Sequence, residues 1–369
     1  MDTIIINLRR YISLLLVSFL VINTAACTSM SYYAQSIHGQ LEILQKRESI
    51  DALLARDELP ESISIQLSRV RKIRNFASAE LGLPDNDSYR DYADLERDYV
   101  VWNVFATPDL SLKPLQWCFL IAGCLQYRGY FSEDAARKYA QELERQGYDV
   151  FVGGVAAYST LGWFDDPVLS TFIQYPEAEV ARIVFHELAH QTVYIKDDTM
   201  FNESFASMVE EEGVRRWLDR EGTAAQRAAN AESRRRRAEF NAFMLKHRAR
   251  LADFYARSAP VEEKRAGKQR LFAELQDEYR ALKTSWGGFA GYDRLFARGA
   301  NNALLVSVAS YAELVPAFRA LLGQKQGDLG AFYKAARDLG RQEKPGRDAR
   351  LAALAGRSAV VTPAEAGVQ

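Results

Sequence analysis

Two of the four histidines in this 369-residue chain stand four residues apart, with a glutamate directly after the first: His186-Glu187-Leu188-Ala189-His190. No other stretch constrains the chain as much. On a helix, residues i and i+4 lie one turn apart on nearly one face, so both imidazoles can grip one divalent ion from the same side. Zinc takes neutral imidazole nitrogens in tetrahedral sites, and a catalytic site keeps one position for water. Glu187 then stands where a general base for that water belongs. Val184, Phe185, Leu188 and Ala189 make the flanks apolar, which suits a buried helix better than a surface helix bearing two solvated histidines.

Two ligands call for a third. Asn202 reads as the cap of a second helix, which puts Glu203 in its first turn and aims it at the ion. Glu210, seven residues on, shares that face and can hydrogen-bond a ligating histidine; the alternative is an ordinary solvated carboxylate. Asp197 and Asp198 are rival ligands, but Lys196-Asp197-Asp198-Thr199 reads as the turn between the helices.

HELAHQ followed by NESFA resembles the gluzincin zinc peptidases, and the NE-x-FA wording is similar to the M1 aminopeptidases. Residues 191–202 form a shorter connection than the M1 type has, and no GAMEN-like segment precedes the motif, so the chain departs from that group. Over most of its length it resembles a bacterial family of zinc aminopeptidases, often predicted to be lipoproteins. The likeness runs from SYYAQSIHGQLEIL through RKIRNFA, YVVWNVFATP, GYDVFVGGVAAYSTLGWFDDPVLS and HELAHQ to NNALL and LVPAF. The resemblance implies one Zn2+ ion held by His186, His190 and Glu203, with Glu187 as base and a peptide or protein as substrate. In similar peptidases a tyrosine donates to the oxyanion; Tyr292 or Tyr311 could do so here, and the sequence does not choose between them or a plain core or surface role for both. An aminopeptidase needs a carboxylate to capture the free amine, and none announces itself. An envelope endopeptidase therefore stays open. So does a non-catalytic, zinc-stabilised envelope lipoprotein, against which an intact Glu187 argues.

Residues 1–26 read as a lipoprotein signal peptide, with Arg9-Arg10 before an apolar run, Tyr11–Ile22, too short to span a bilayer comfortably. Thr24-Ala25-Ala26-Cys27 resembles a lipobox, so acyl chains on Cys27 are expected to anchor the chain in a bacterial envelope membrane, facing the periplasm. Thr28, where a retention signal would have Asp, favours the outer membrane. An oxidising compartment lets Cys118 and Cys124 pair, with two buried free thiols as the alternative. A formal net charge of −1 gives no bulk attraction for nucleic acid.

The expected fold is α+β and mostly helical: a small β-sheet beside the motif helix and a helical C-terminal part. The expected divisions are an N-terminal α+β region, 27–222, carrying the catalytic helices; a helical region, 223–356; and a disordered tail, 357–369. Helical periodicity covers Tyr32–Arg56, Glu61–Leu81, Ser132–Gln146, Pro176–Val193 and Asn202–Leu218, and β-rich runs cover Tyr99–Phe105, Trp117–Leu125 and Asp149–Leu161. Gly153-Gly154 inside the last run marks a bulge or a close backbone approach. Val152–Tyr158 is therefore a candidate edge for the substrate backbone, with Gly153, Gly154 and Tyr158 as contacts; a plain buried strand is the alternative. Beyond Glu221 a helical hairpin breaks near Ser258–Pro260, its Arg234–Arg237 run reading as a solvated face.

Overall fold

The computed structural model describes residues 31–119 and 123–356. The expected signal peptide, Cys27 and the 357–369 tail lie outside them. The described elements are α1 (31–46), β1 (Arg47–Ser49), α2 (Ile50–Leu54), α3 (Glu61–Ala79), β2 (Asp91–Ala93), β3 (Val101–Pro108), β4 (Trp117–Phe119), β5 (Gly123–Leu125), β6 (Arg128–Tyr130), α4 (Glu133–Arg145), β7 (Tyr148–Val155), β8 (Val168–Leu169), α5 (Ser170–Ile173), α6 (Glu177–Thr192), α7 (Thr199–Glu221), α8 (Ala224–Tyr255), α9 (Val261–Ser285), α10 (Asp293–Phe296), α11 (Asn302–Ala312), α12 (Val315–Gln324), α13 (Leu329–Gly340) and α14 (Lys344–Leu354). The chain is mostly helical with small sheets, consistent with an α+β class.

The sheet beside the site is explained by the two-residue period of β3, which sends alternate side chains to opposite faces. Trp102, Val104 and Ala106 pack with Ala136, Ala140 and Leu143 of α4. Asn103, on the other face, borders the cavities described below. Because both faces are covered, the strand is buried from Val101 to Thr107. The strand order is β6-β3-β7, with β3 antiparallel to both neighbours, and Val101 pairs with Val155 and Pro108 with Tyr148. β7 is therefore an edge strand. α4 begins at Ser132, whose side chain accepts from Ala135 N, the cap expected from sequence.

Three expectations need correction here. Tyr32–Arg56 is not one helix, because Arg47–Ser49 leaves it to pair with Asp91–Ala93. The strand expected over Asp149–Leu161 ends at Val155; the chain then turns, with Leu161 at φ 57° and Gly162 at φ 81°. Tyr158 consequently lies beyond the strand, and its hydroxyl donates to Gln40.

The main core gathers α3, α5, α6 and α7, and α12, α13 and α14 return to it from beyond Gly222. Phe76 meets Trp217 edge-on at 5.1 Å, and Phe205 stacks on Phe332 at 5.6 Å. α6 and α7 approach closely at Gly213, where an added Cβ would lie 2.7 Å from the Phe185 ring. Gly213→Ala would overpack that contact at a cost of about 1–3 kcal/mol. A second cluster joins α8, α9 and α11 through Phe240, Phe243, Leu275 and Leu304. Asn302–Gln324 is long and apolar enough to cross a membrane, yet Leu304, Ala317 and Phe318 within it are fully buried in these cores.

Candidate metal centre

α6 starts after Pro176 with Glu177 and Glu179 in its first turn, where acidic groups suit the helix dipole. It carries His186 and His190 inward, and the chain leaves the helix at the extended residue Val193. The turn that follows is held by its own polar side chains. Asp198 accepts from Phe201 N at 3.2 Å and so caps α7, an interaction worth about 0.5–2 kcal/mol. Asn202 is not the cap expected from sequence; its amide accepts from Ile195 N at 2.7 Å and donates to Ile195 O at 2.8 Å. The helix thus opens at Thr199, and Glu203 lies in its second turn. Asp197 accepts from Cys124 N, and Asp198 pairs with Arg347, so both rival aspartates are engaged elsewhere.

The structure brings His186, His190 and Glu203 together, all three buried. His190 Nε2 lies 3.2 Å from His186 Nε2. Glu203 Oε2 lies 3.3 Å from His186 Nε2 and 3.6 Å from His190 Nε2. Three donor atoms thus converge on one small volume, and the group could hold a metal ion. Glu210 Oε2 sits 2.9 Å from His186 Nδ1. An ionised carboxylate only accepts, so Nδ1 donates to Glu210 and Nε2 faces Glu203 and His190. Burial alone would lower the His186 pKa, but Glu203 and Glu210 outweigh it and hold it at about 10. Against the same burial, the histidines hold Glu203 at about 2, and Arg182 with His186 does so for Glu210. The field at the centre therefore favours positive charge.

Sequence reasoning missed Glu210's other partners. Arg182 donates to it at 3.0 Å and Arg237 at 3.1 Å. Arg182 precedes His186 by one helical turn, which was a usable signal. Arg237 belongs to the run read as a solvated face, and only the fold turns it inward.

Glu187 borders two cavities, one of about 290 Å3 that also meets His190 and Glu203, and one of about 550 Å3 that also meets Glu210 and Arg237. His186, Asn103, Val155, Ala157 and Tyr311 border both. Burial pushes the Glu187 pKa up, while His186 and His190 pull it back. Of the two candidate tyrosines, Tyr311 stacks on His186 with ring centroids 6.2 Å apart. Tyr292 stacks on Phe240 and borders only the larger cavity. Burial holds the Tyr311 phenol neutral, well above its usual range. Tyr127, missed in the sequence, lines the smaller cavity, its phenol raised by burial and by nearby Glu203.

Gly153 and Gly154 line the larger cavity. The bare Cα of Gly154 also seats the Tyr99 ring, which an added Cβ would approach to 2.5 Å. Tyr158 lines the smaller cavity instead. Cys118 and Cys124 form a disulfide across the β4–β5 hairpin.

A mostly helical chain in which two consecutive helices converge a His-His-Glu group able to hold a metal ion, beside a cleft, defines the class. Residues 31–351 match the family described as "Putative aminopeptidase", and the chain belongs to that family. Neither a curated protein nor a solved structure matches it.

Proposed function

We propose that the chain is a gluzincin-like, zinc-dependent metallopeptidase acting as an aminopeptidase. The observation that carries the metallopeptidase reading is the spacing of the three donors, and the match to the family described as "Putative aminopeptidase" supports the aminopeptidase part. Ligands about 2.0–2.2 Å from a tetrahedral zinc stand roughly 3.3–3.6 Å from one another. The three separations here are 3.2, 3.3 and 3.6 Å. Two imidazole nitrogens and a carboxylate suit zinc, and three protein ligands leave a position open, as catalytic sites do. When bound, the ion supplies Lewis acidity toward a carbonyl oxygen and toward water.

The chain's own residues supply the rest. Glu187, held by neither a salt bridge nor a hydrogen bond among the described residues and facing both cavities, takes a proton from the attacking water and delivers it to the leaving amine. Glu210 fixes the His186 ring, and Arg182 and Arg237 fix Glu210 in turn. Tyr311, neutral and stacked beside His186, is the tyrosine this reading assigns to donate to the oxygen that gains charge. The open edge of β7 at Gly153 offers backbone groups to an extended peptide.

An endopeptidase is the second reading, favoured by the two cavities that meet at Glu187 and offer room for chain beyond both sides of a scissile bond. A peptide library with free or blocked N-termini, given to zinc-loaded protein, separates the readings. Cleavage of free peptides alone supports an aminopeptidase, and cleavage of both supports an endopeptidase. No cleavage with zinc bound would leave a non-catalytic, zinc-stabilised lipoprotein.

We also propose that the protein sits in a bacterial envelope, facing the periplasm and anchored by acyl chains on Cys27, with Thr28 favouring the outer membrane over the inner. The lipobox-like Thr24–Cys27 supports this, as does a disulfide suited to an oxidising compartment. Cys27→Ser should abolish acyl-chain labelling; unchanged labelling rules the anchor out.

A further inference from the structure

The two cavities that meet at Glu187 differ in charge. The larger is bordered by Arg182, Arg237, Glu210 and Glu211. The smaller, among the described residues, has no charged side chain beyond the donor group and Glu187; Tyr32, Phe119, Leu125, Tyr127, Phe131 and Tyr158 supply its wall. The polar tips in that wall are accounted for within the protein or stay neutral. Tyr158 donates to Gln40, and burial raises the phenols of Tyr32, Tyr127 and Tyr158. The carboxylate of Asp166, behind the wall, accepts from Thr160 N at 2.9 Å and does not border the cavity.

On these observations, and resting on the metallopeptidase reading, we propose that the smaller cavity receives the side chain of the residue before the scissile bond and selects a bulky uncharged one, aromatic or long aliphatic. Three physical points lead there. First, about 290 Å3 bounded by rings suits one large side chain, whereas the larger cavity runs along the β7 edge at Gly153 and Gly154 and suits continuing chain. Second, aromatic walls reward apolar area and offset ring stacking. Third, a Lys, Asp or Glu side chain would enter with no opposite charge to meet it except the donor group and Glu187, which the metal and the attacking water engage, and burying an unpaired charge is costly.

The test is a peptide library varied at the residue before the scissile bond, with free and blocked N-termini, given to the zinc-loaded full chain. Phe, Tyr, Leu and Met should lead. Lys, Asp and Glu should fall at least about 100-fold lower in kcat/KM, and Ala about 10-fold lower. A flat profile, or one led by charged or small residues, overturns the proposal while leaving the metallopeptidase reading intact; no hydrolysis of any member overturns both. Leu125→Asp should raise the Lys:Phe ratio by at least about 10-fold. Because that substitution adds a charge to the wall and can disturb folding, Leu125→Trp provides a second arm. It narrows the cavity without charge and should lower the Phe:Ala ratio about 10-fold. An unchanged ratio in a folded Leu125→Trp protein counts against the assignment of this wall.

Discussion

His186, His190 and Glu203 come from two consecutive helices joined by residues 193–198, whereas the cavity beside them is walled by residues as far apart as Tyr32 and Tyr158. The donor group is local in sequence and locked by the buried Glu210 carboxylate and its two partly exposed guanidinium partners. The wall is assembled from α1, the β4–β5 hairpin, the segment leading into β6 and the turn after β7, and rings and a disulfide hold it. Chemistry that needs donor atoms placed to a fraction of an ångström sits on the rigid, continuous part. Selection of a side chain, which tolerates and exploits variation in loops, sits on the composite part.

If the two parts are as separable as this contrast implies, substitutions should sort between them. The largest effect is expected for His190→Ala, which removes a donor: metal content should fall below detection at micromolar zinc and hydrolysis should be lost, both read on the same preparation. Glu210→Ala comes next. It frees the His186 ring and leaves Arg182 and Arg237 with Glu179 as their remaining carboxylate partner, so zinc affinity should drop about 10–100-fold in a chelator competition, with the library profile unchanged in rank. The smallest effect is expected when both cysteines are replaced, Cys118→Ser with Cys124→Ser. Phe119 and Leu125 flank that bridge. Their displacement should change relative kcat/KM among apolar substrates roughly 10-fold or less while zinc affinity holds. Because Cys124 N also donates to Asp197 in the turn between the donor helices, a fall in zinc affinity here would break the contrast and show the hairpin supporting the metal centre as well.

The same contrast explains what the sequence revealed. A spacing of four residues on one helix is a statement about a single face, so His186 and His190 were legible together, and Glu210 followed by its spacing from Glu203. Helix boundaries were less legible because Asp198 and Asn202 are both cap-forming residues. Tertiary bonds from Asn202 to Ile195 decided between them. The periodicity of β3 announced a strand but not which layers would cover its two faces. Tyr127 and Arg237 carried no local mark at all: one sits in a short stretch between strands, the other in a run of like charges, and each acquires its place only when distant segments close around Glu203 and Glu210. The break between α1 and β1 was hidden for a similar reason, since Arg47–Ser49 is extended only because Asp91–Ala93 lies beside it.

The central claim is that one carboxylate moves the proton while three other side chains hold the ion. Glu187→Gln tests it most directly, because the amide preserves the size of the side chain and cannot take a proton from water. Zinc content and peptide hydrolysis should be measured on wild-type and Glu187→Gln protein purified side by side. The account predicts one zinc per chain in both and a loss of turnover of at least about 100-fold in the variant. Turnover at the wild-type rate in Glu187→Gln, or a wild-type protein that binds no zinc, would contradict it.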